Sequence, residues 1–212
     1  MNLQDKFQNR CLEWSKTASV DEKELLEKVF EYENTYFDDI RFEPDSITGD
    51  FFAVEYQDDS RNWHKSYSDP PFCIDLTTAA VKISKIKRSA GRYHQKEHII
   101  YIHPGYKEDK QVILHEMIHA YENLLMSDNR GCILRDILFF TLYKNLKVKI
   151  KKIDNLIQNH AHIYRQHDII EAGGFHGILF YLKSLDLDLR LGLKLGTVCG
   201  YGRDEFGTGE EI

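Results

Sequence analysis

Val112-Ile113-Leu114-His115-Glu116-Met117-Ile118-His119-Ala120-Tyr121 is the stretch on which the reading of the fold turns. It lies within a run from about 108 to 126 that contains neither proline nor glycine. Placed on a helical wheel, Ile113, Leu114, Met117, Ile118, Ala120, Tyr121, Leu124 and Leu125 gather on one arc, roughly 80° to 240° from Val112. His115, Glu116, His119, Glu122 and Asn123 fill the opposite arc. The spacing predicts a helix with one apolar face for a core and one polar face carrying chemistry.

The polar face holds an H-E-x-x-H pattern. Residues i and i+4 project from the same side of a helix, so the imidazoles of His115 and His119 can grip one metal ion, and Zn²⁺ suits nitrogen donors. Glu116 sits one residue round, where a carboxylate can accept a proton from a water that the metal has acidified. A catalytic site of this kind needs a third protein ligand and an open fourth position. Downstream candidates are His160, His162, His167, Glu171 and His176. His160 and His162 read as solvated residues near a helix end, and His167 with Asp168 as supporting groups. Glu171 and His176 stand on either side of Gly173-Gly174, and either could close the set.

Around this helix the pattern is mixed. Leu3, Phe7, Cys11 and Trp14 recur at helical spacing, and Ser19-x-x-Glu22 forms a capping box before Leu25, Leu26, Val29 and Phe30, predicting a second helix that ends near Tyr36. From Ile40 to Tyr67 the chain is polar, aromatic and rich in turn residues, with Phe51 to Tyr56 strand-like, which fits a hairpin or an elaborated loop. Val81 to Ile83 and Ile99 to Ile102 read as two antiparallel strands about a turn near Gly91, closed by Pro104-Gly105. Ile133, Ile137, Leu138, Leu142, Leu146, Ile150, Ile153 and Ile157 mark a long amphipathic helix from about 133 to 164. A short helix is expected from Phe175 to Leu185. Leu185, Leu187, Leu189, Leu191, Leu193 and Leu195 then alternate with other residues, the period of a strand.

The chain of 212 residues is 42% hydrophobic and 29% charged, a balance for a folded domain rather than a disordered or fibrous chain. A net charge of −6 gives no general attraction to nucleic acid or anionic lipid. Lys82, Lys85, Lys87, Arg88 and Arg92, and Lys144, Lys147, Lys149, Lys151 and Lys152, form local basic clusters that read as solvated faces, so nucleic-acid binding is only weakly supported. Trp63, His64 and Tyr67 read as local packing. The 4 cysteines, Cys11, Cys73, Cys132 and Cys199, are widely spaced and favour a reducing compartment. No apolar run reaches the ~18 residues of a membrane span, and the N-terminus lacks a leader's apolar core. The expectation is a cytoplasmic protein with no membrane partner.

Two stretches carry a family resemblance. Val112 to Tyr121 followed by Phe175-His176-Gly177-Ile178-Leu179-Phe180 resembles the SprT-like, Spartan-related family of zinc metalloproteases, which pairs an H-E-M-I-H-A-Y helix with a later H-G-x-x-F. Val29 to Phe37 is similar to the family's opening helix, and Ala90-Gly91-Arg92-Tyr93 to the Ala-Gly turn before its active-site helix. The resemblance implies that His115, His119 and His176 hold Zn²⁺ and that Glu116 is the general base. Glycines 173 and 174 suit this choice, since they free the backbone to aim the start of a new helix at the first pair. Glu171 is the runner-up. The chain departs from the family in two insertions, about 41–80 and 133–165, and in lacking a paired-cysteine zinc ribbon at the C-terminus.

The expected architecture is therefore α+β: a zincin-like domain with a small antiparallel sheet packed on the H-E-x-x-H helix, plus a helical insertion. Residues 1–24 are expected as an N-terminal helix, 25–195 as the metalloprotease domain and 196–212 as a Gly-rich acidic tail. The expected function is zinc-dependent hydrolysis of peptide bonds in a protein or peptide substrate. The alternatives are a non-catalytic zinc-containing binding protein and an amidase or peptidase acting on small peptides.

Overall fold

A computed structural model describes residues 12–37, 53–57, 63–67, 80–85, 89–126, 129–156 and 176–200. Of the elements, only the backbone is described at 53–57, 63–67, 124–126 and 129–137. The fold is mixed α+β, with a three-stranded sheet and helices layered around one central helix.

Helix α1 (Val20–Tyr36) begins at the predicted capping box: Ser19 N–H donates to Glu22 Oε2 (2.9 Å) and Glu22 N–H donates to Ser19 Oγ (3.3 Å). The division drawn from the sequence at residue 24 falls inside this helix, whose Leu25 and Val29 are buried in the common core. Its C-terminal carbonyls find cations on a distant helix. Lys183 Nζ donates to Tyr36 O (2.7 Å), and Arg190 donates to the carbonyls of Tyr36 and Thr35 (3.2 and 2.7 Å). Positive charge there complements the helix dipole.

Strands β1 (Ala53–Gln57) and β2 (Trp63–Tyr67) pair antiparallel as a hairpin, with Ala53 opposite Tyr67. The second sheet has the order β3-β5-β4, from β3 (Ala80–Ile83), β4 (Gly91–His94) and β5 (Ile99–Ile102). It corrects the expected antiparallel pair. β3 and β5 run parallel, because Gly91–His94 is itself a strand and the chain reverses once on each side of it. Gly-Arg-Tyr-His is too short and too polar to announce a strand. The reversal from β4 to β5 spans residues 95–98, where buried His98 adopts φ 53°, a left-handed conformation that histidine tolerates better than most residues. Tyr93 Oη lies 2.6 Å from His98 Nδ1. Burial lowers the His98 pKa to about 4, so the neutral ring accepts the tyrosine proton.

Helix α2 (Lys110–Met126) follows a 3₁₀ turn at Pro104–Tyr106 and is the centre of the molecule. Asp109 caps it, accepting from the N–H groups of Gln111 and Val112 (3.0 and 3.3 Å). Ile113, Leu114, Met117, Ile118, Ala120 and Tyr121 are all fully buried, as the wheel predicts. Part of the opposite arc is buried too: α2 lies against β4 and β5 on one side and against α3 (Asn129–Lys149) and α4 (Ile178–Leu191) on the others, so His115 and Glu116 are 2% and 1% exposed, while His119, Glu122 and Asn123 are half-buried.

Two helix boundaries differ from expectation. The helix predicted to run from 133 to 164 ends at Lys149, with a separate helical turn at 153–156, although Leu138, Leu142, Leu146, Ile150 and Ile153 do enter the core. Leu185 to Leu191, predicted as the start of a strand, is the continuation of α4. That helix is buried on nearly every side, so apolar residues occupy alternate positions without marking a strand. Gly192, at φ 64°, ends it in the left-handed cap that favours glycine. Residues 196 and 198–200, assigned from the sequence to the tail, are buried against the domain.

Among the described residues, no helix is long and apolar enough to cross a membrane. Lys144, Lys147, Lys149, Lys151 and Lys152 are exposed, and Lys147 pairs with Asp154 at 3.5 Å. Lys82 is half-buried and Lys85 and Arg92 are exposed, whereas Lys87 and Arg88 lie outside the described residues.

Candidate metal centre

His115, His119 and His176 converge, with one donor atom from each lying within 4.8 Å of the others. The ring centres are 5.1 Å apart for His115 and His119, 4.8 Å for His115 and His176, and 5.2 Å for His119 and His176. The first pair follows from helical spacing on α2. The third arrives from the two residues that precede α4.

Glu122, one turn beyond His119, fixes that arrival. Gly177 is the N-cap of α4 and has no side chain to offer. The Glu122 carboxylate takes over the role, Oε1 accepting from Phe180 N–H at 2.9 Å. A Cβ on Gly177 would stand 3.0 Å from Glu122 Oε1, so the residue after His176 must be small for the cap to close. Phe180 stacks on His176 with centroids 4.0 Å apart and planes inclined by 6°, and it also borders His119 at 4.6 Å. The His-Gly-x-x-Phe sequence thus encodes a ligand, a gap for a capping carboxylate and a ring that fixes the imidazole plane.

His115 Nδ1–H donates to the Val198 carbonyl at 3.0 Å, which leaves the Nε2 lone pair on the side of the cluster. That Nε2 lies 3.2 Å from His176 Nε2. Two bare lone pairs repel at such a distance, so a proton or a cation belongs between them. Two nitrogens each ~2.0–2.1 Å from a tetrahedral ion would stand about 3.3–3.4 Å apart, close to the separation found. On its other side, His176 Nδ1 lies 3.7 Å from the sulfur of buried Cys199.

All three rings are held neutral, the state in which imidazole binds a metal. The His115 pKa is pushed down to about 3, by burial first and then by neighbouring His176. Burial alone lowers His176 to about 4. His119 lies well below its ordinary value through burial and the two other rings. The donor set, spacing and protonation therefore fit a metal ion.

Glu116 packs its carboxylate against β4: a Cβ on Gly91 would lie 2.7 Å from Glu116 Oε1. Gly91 thus clears space for this side chain. Tyr93, two residues along β4, receives a hydrogen bond from Asn123 Nδ2 at 2.7 Å, tying the same strand to the last turns of α2.

The structure brings together His115, His119 and His176 as the sequence predicted. His160, His162, His167, Asp168 and Glu171 lie outside the described residues. Sequence reading assigned no role to Glu122, Asp188, Val198 or Cys199. Glu122 could have been noticed, because it shares the helix arc of His115 and His119. Asp188 was concealed in the leucine alternation, and nothing local marks Val198, whose contact with His115 joins residues far apart in the chain.

Comparison with known proteins gives no match: no family model, curated protein or solved structure is similar enough to this chain to place it.

Proposed function

We propose that this chain is a zinc metalloprotease with a zincin-like, SprT-like domain, hydrolysing peptide bonds in protein substrates. The observation that carries the reading is the convergence of three neutral imidazoles, two of them from an H-E-x-x-H helix, with facing nitrogens 3.2 Å apart. Among the described residues the cluster has three donors, the number that a catalytic zinc site takes from its protein. Zn²⁺ bound there would polarise a substrate carbonyl and lower the pKa of water.

The chain's own groups supply the rest. Glu116 takes a proton from the attacking water on a carboxylate oxygen and returns it to the leaving amine nitrogen, so acid and base are one residue. Phe180 and the buried faces of α2 and α4 keep bulk water from His115, while His119 and His176 are half-buried and leave the cluster an approach. Strand β4, at the sheet edge among the described residues, offers backbone groups with which an extended peptide can pair beside Glu116. That edge favours an extended protein segment over a small amide.

Elemental analysis of the purified protein and a proteolysis assay on an unfolded protein substrate test the reading. Near-stoichiometric zinc is expected, and Glu116→Gln should lower the rate at least ~10²-fold while the metal stays bound. A protein without zinc, or a fully active Glu116→Gln, overturns it. Zinc retained with no hydrolysis of protein or short peptides would favour the non-catalytic binding protein, and hydrolysis of short peptides alone would favour the small-peptide enzyme.

A further inference from the structure

We infer that Asp188 is a positioning residue for the metal centre: by holding the turn at 196–198 it makes the Val198 carbonyl fix His115 with Nδ1 protonated and Nε2 facing His119 and His176.

Asp188 sits on α4 and is fully buried. Its two oxygens are used separately, Oδ2 accepting from Gly196 N–H at 2.6 Å and Oδ1 from Val198 N–H at 2.9 Å. The backbone carbonyl of that same Val198 receives the His115 proton. One carboxylate therefore anchors the amide of the residue whose carbonyl, in the next peptide unit, selects the tautomer of a ligand. Burying a carboxylate is costly, and an apolar residue would serve if filling space were the only requirement. Burial raises its pKa to about 7, while the N–H groups of the turn oppose a larger shift. The turn itself needs a glycine: Gly196 has φ 89°, which other residues rarely adopt. Outer partners that orient a metal-binding histidine in this way typically contribute 10–100-fold to metal affinity.

Asparagine at 188 is nearly isosteric but cannot accept both N–H groups, since its amide nitrogen must face one of them. Asp188→Asn should therefore release Val198 and allow His115 to exchange tautomers. Two measurements on the full chain decide the matter. In the metal-free protein, side-chain ¹⁵N NMR of the histidines should show His115 protonated at Nδ1 in the wild type and as a mixture of tautomers in Asp188→Asn. In a competition titration with Zn²⁺, affinity should fall roughly 10–100-fold. Gly196→Ala, which displaces the same turn without touching the carboxylate, should reproduce both effects and carries the test if Asp188→Asn does not fold. Ser19→Ala, a helix cap remote in sequence from these groups, controls for stability loss alone and should alter neither readout.

The inference is overturned if the folded variants keep the Nδ1-protonated His115 of the wild type, or if they bind Zn²⁺ with wild-type affinity. The affinity arm rests on the proposed metal centre, whereas the tautomer arm does not. Failure of the wild type to bind Zn²⁺ would sink the metal reading and leave the tautomer to decide the role of Asp188.

Discussion

Helix α2 brings two imidazoles together within a single turn, whereas the opposite wall of the cluster is assembled from the start of α4, its buried Asp188 and the turn after it. On α2 the geometry is local: any helix with histidines four apart would present them on one side. On the α4 side only the Phe180 ring stacked on His176 is local. His176 is aimed by a carboxylate from α2, and His115 is held by a carbonyl whose own orientation comes from α4. Each wall supports the ligand of the other.

The largest expected effect breaks that symmetry at its centre. His115→Ala, His119→Ala and His176→Ala should each weaken zinc binding by more than ~10²-fold, beyond what loss of an outer partner costs. Equilibrium competition titration measures this, with circular dichroism to show that the helices remain. His176→Ala should exceed Glu171→Gln and His167→Ala by a wide margin. If Glu171→Gln strips the metal while His176→Ala keeps it, the α4 wall is not where the third ligand resides.

Much of this arrangement could be read in the sequence on the α2 side and little on the other, for physical reasons. The capping box at Ser19 and the apolar arc of α2 are short-range patterns, and both are present as read. The strand at Gly91–His94 was hidden because four polar, small or aromatic residues become a strand only when β5 pairs with them. Alternating leucines from 185 onwards gave the period of a strand, because a helix buried on nearly all sides lacks the polar stripe that would reveal its own period. His176 was found through its Gly-x-x-Phe context. Glu122 explains that context only once α2 and α4 are side by side.

A second measurement sharpens the comparison through pH, because the three imidazoles and the buried carboxylate of the α4 wall titrate with different signs. In the metal-free protein the histidines are held neutral by burial, with pKa near 3 for His115, near 4 for His176 and well below the ordinary value for His119. Unfolded histidine titrates near 6.5. As pH falls from 6.5 towards 4 the unfolded chain takes up protons that the folded chain refuses, so stability falls, by up to about 1.4 kcal/mol per pH unit for each ring. Asp188 acts in the opposite sense. Its pKa rises from 3.8 to about 7, so between those values the folded state binds the extra proton and this group favours folding at the lower pH. Buried His98, with its pKa lowered to about 4, adds to the same decline, and four histidines outweigh one aspartate. Urea unfolding of chelator-treated protein at pH 7, 6 and 5 should show declining stability, and Asp188→Asn should make the decline steeper. Stability that is flat, or that increases on acidification, would contradict the burial assigned to the four rings.

The smallest effect separates a local cap from one supplied across the fold. Ser19 and Glu122 both accept a hydrogen bond from the N3 amide of a helix, Ser19 from Glu22 in its own segment and Glu122 from Phe180 on a helix far along the chain. Ser19→Ala and Glu122→Ala should each cost about 1–2 kcal/mol of stability, the usual range for losing such a cap, as read by thermal or urea unfolding. Their consequences for the cluster should differ. The α1 cap opens a helix whose first turns hold no ligand, so Ser19→Ala should bind zinc like the wild type. Without the Glu122 carboxylate the Phe180 amide loses its partner, and the segment that carries His176 and its stacked ring loses the contact that anchors it to α2. Glu122→Ala should then weaken zinc binding roughly tenfold, at the lower end of the effects of outer groups. Equal zinc affinity in the two variants would mean that packing of Phe180 alone places His176, and that the capping carboxylate contributes only to helix stability.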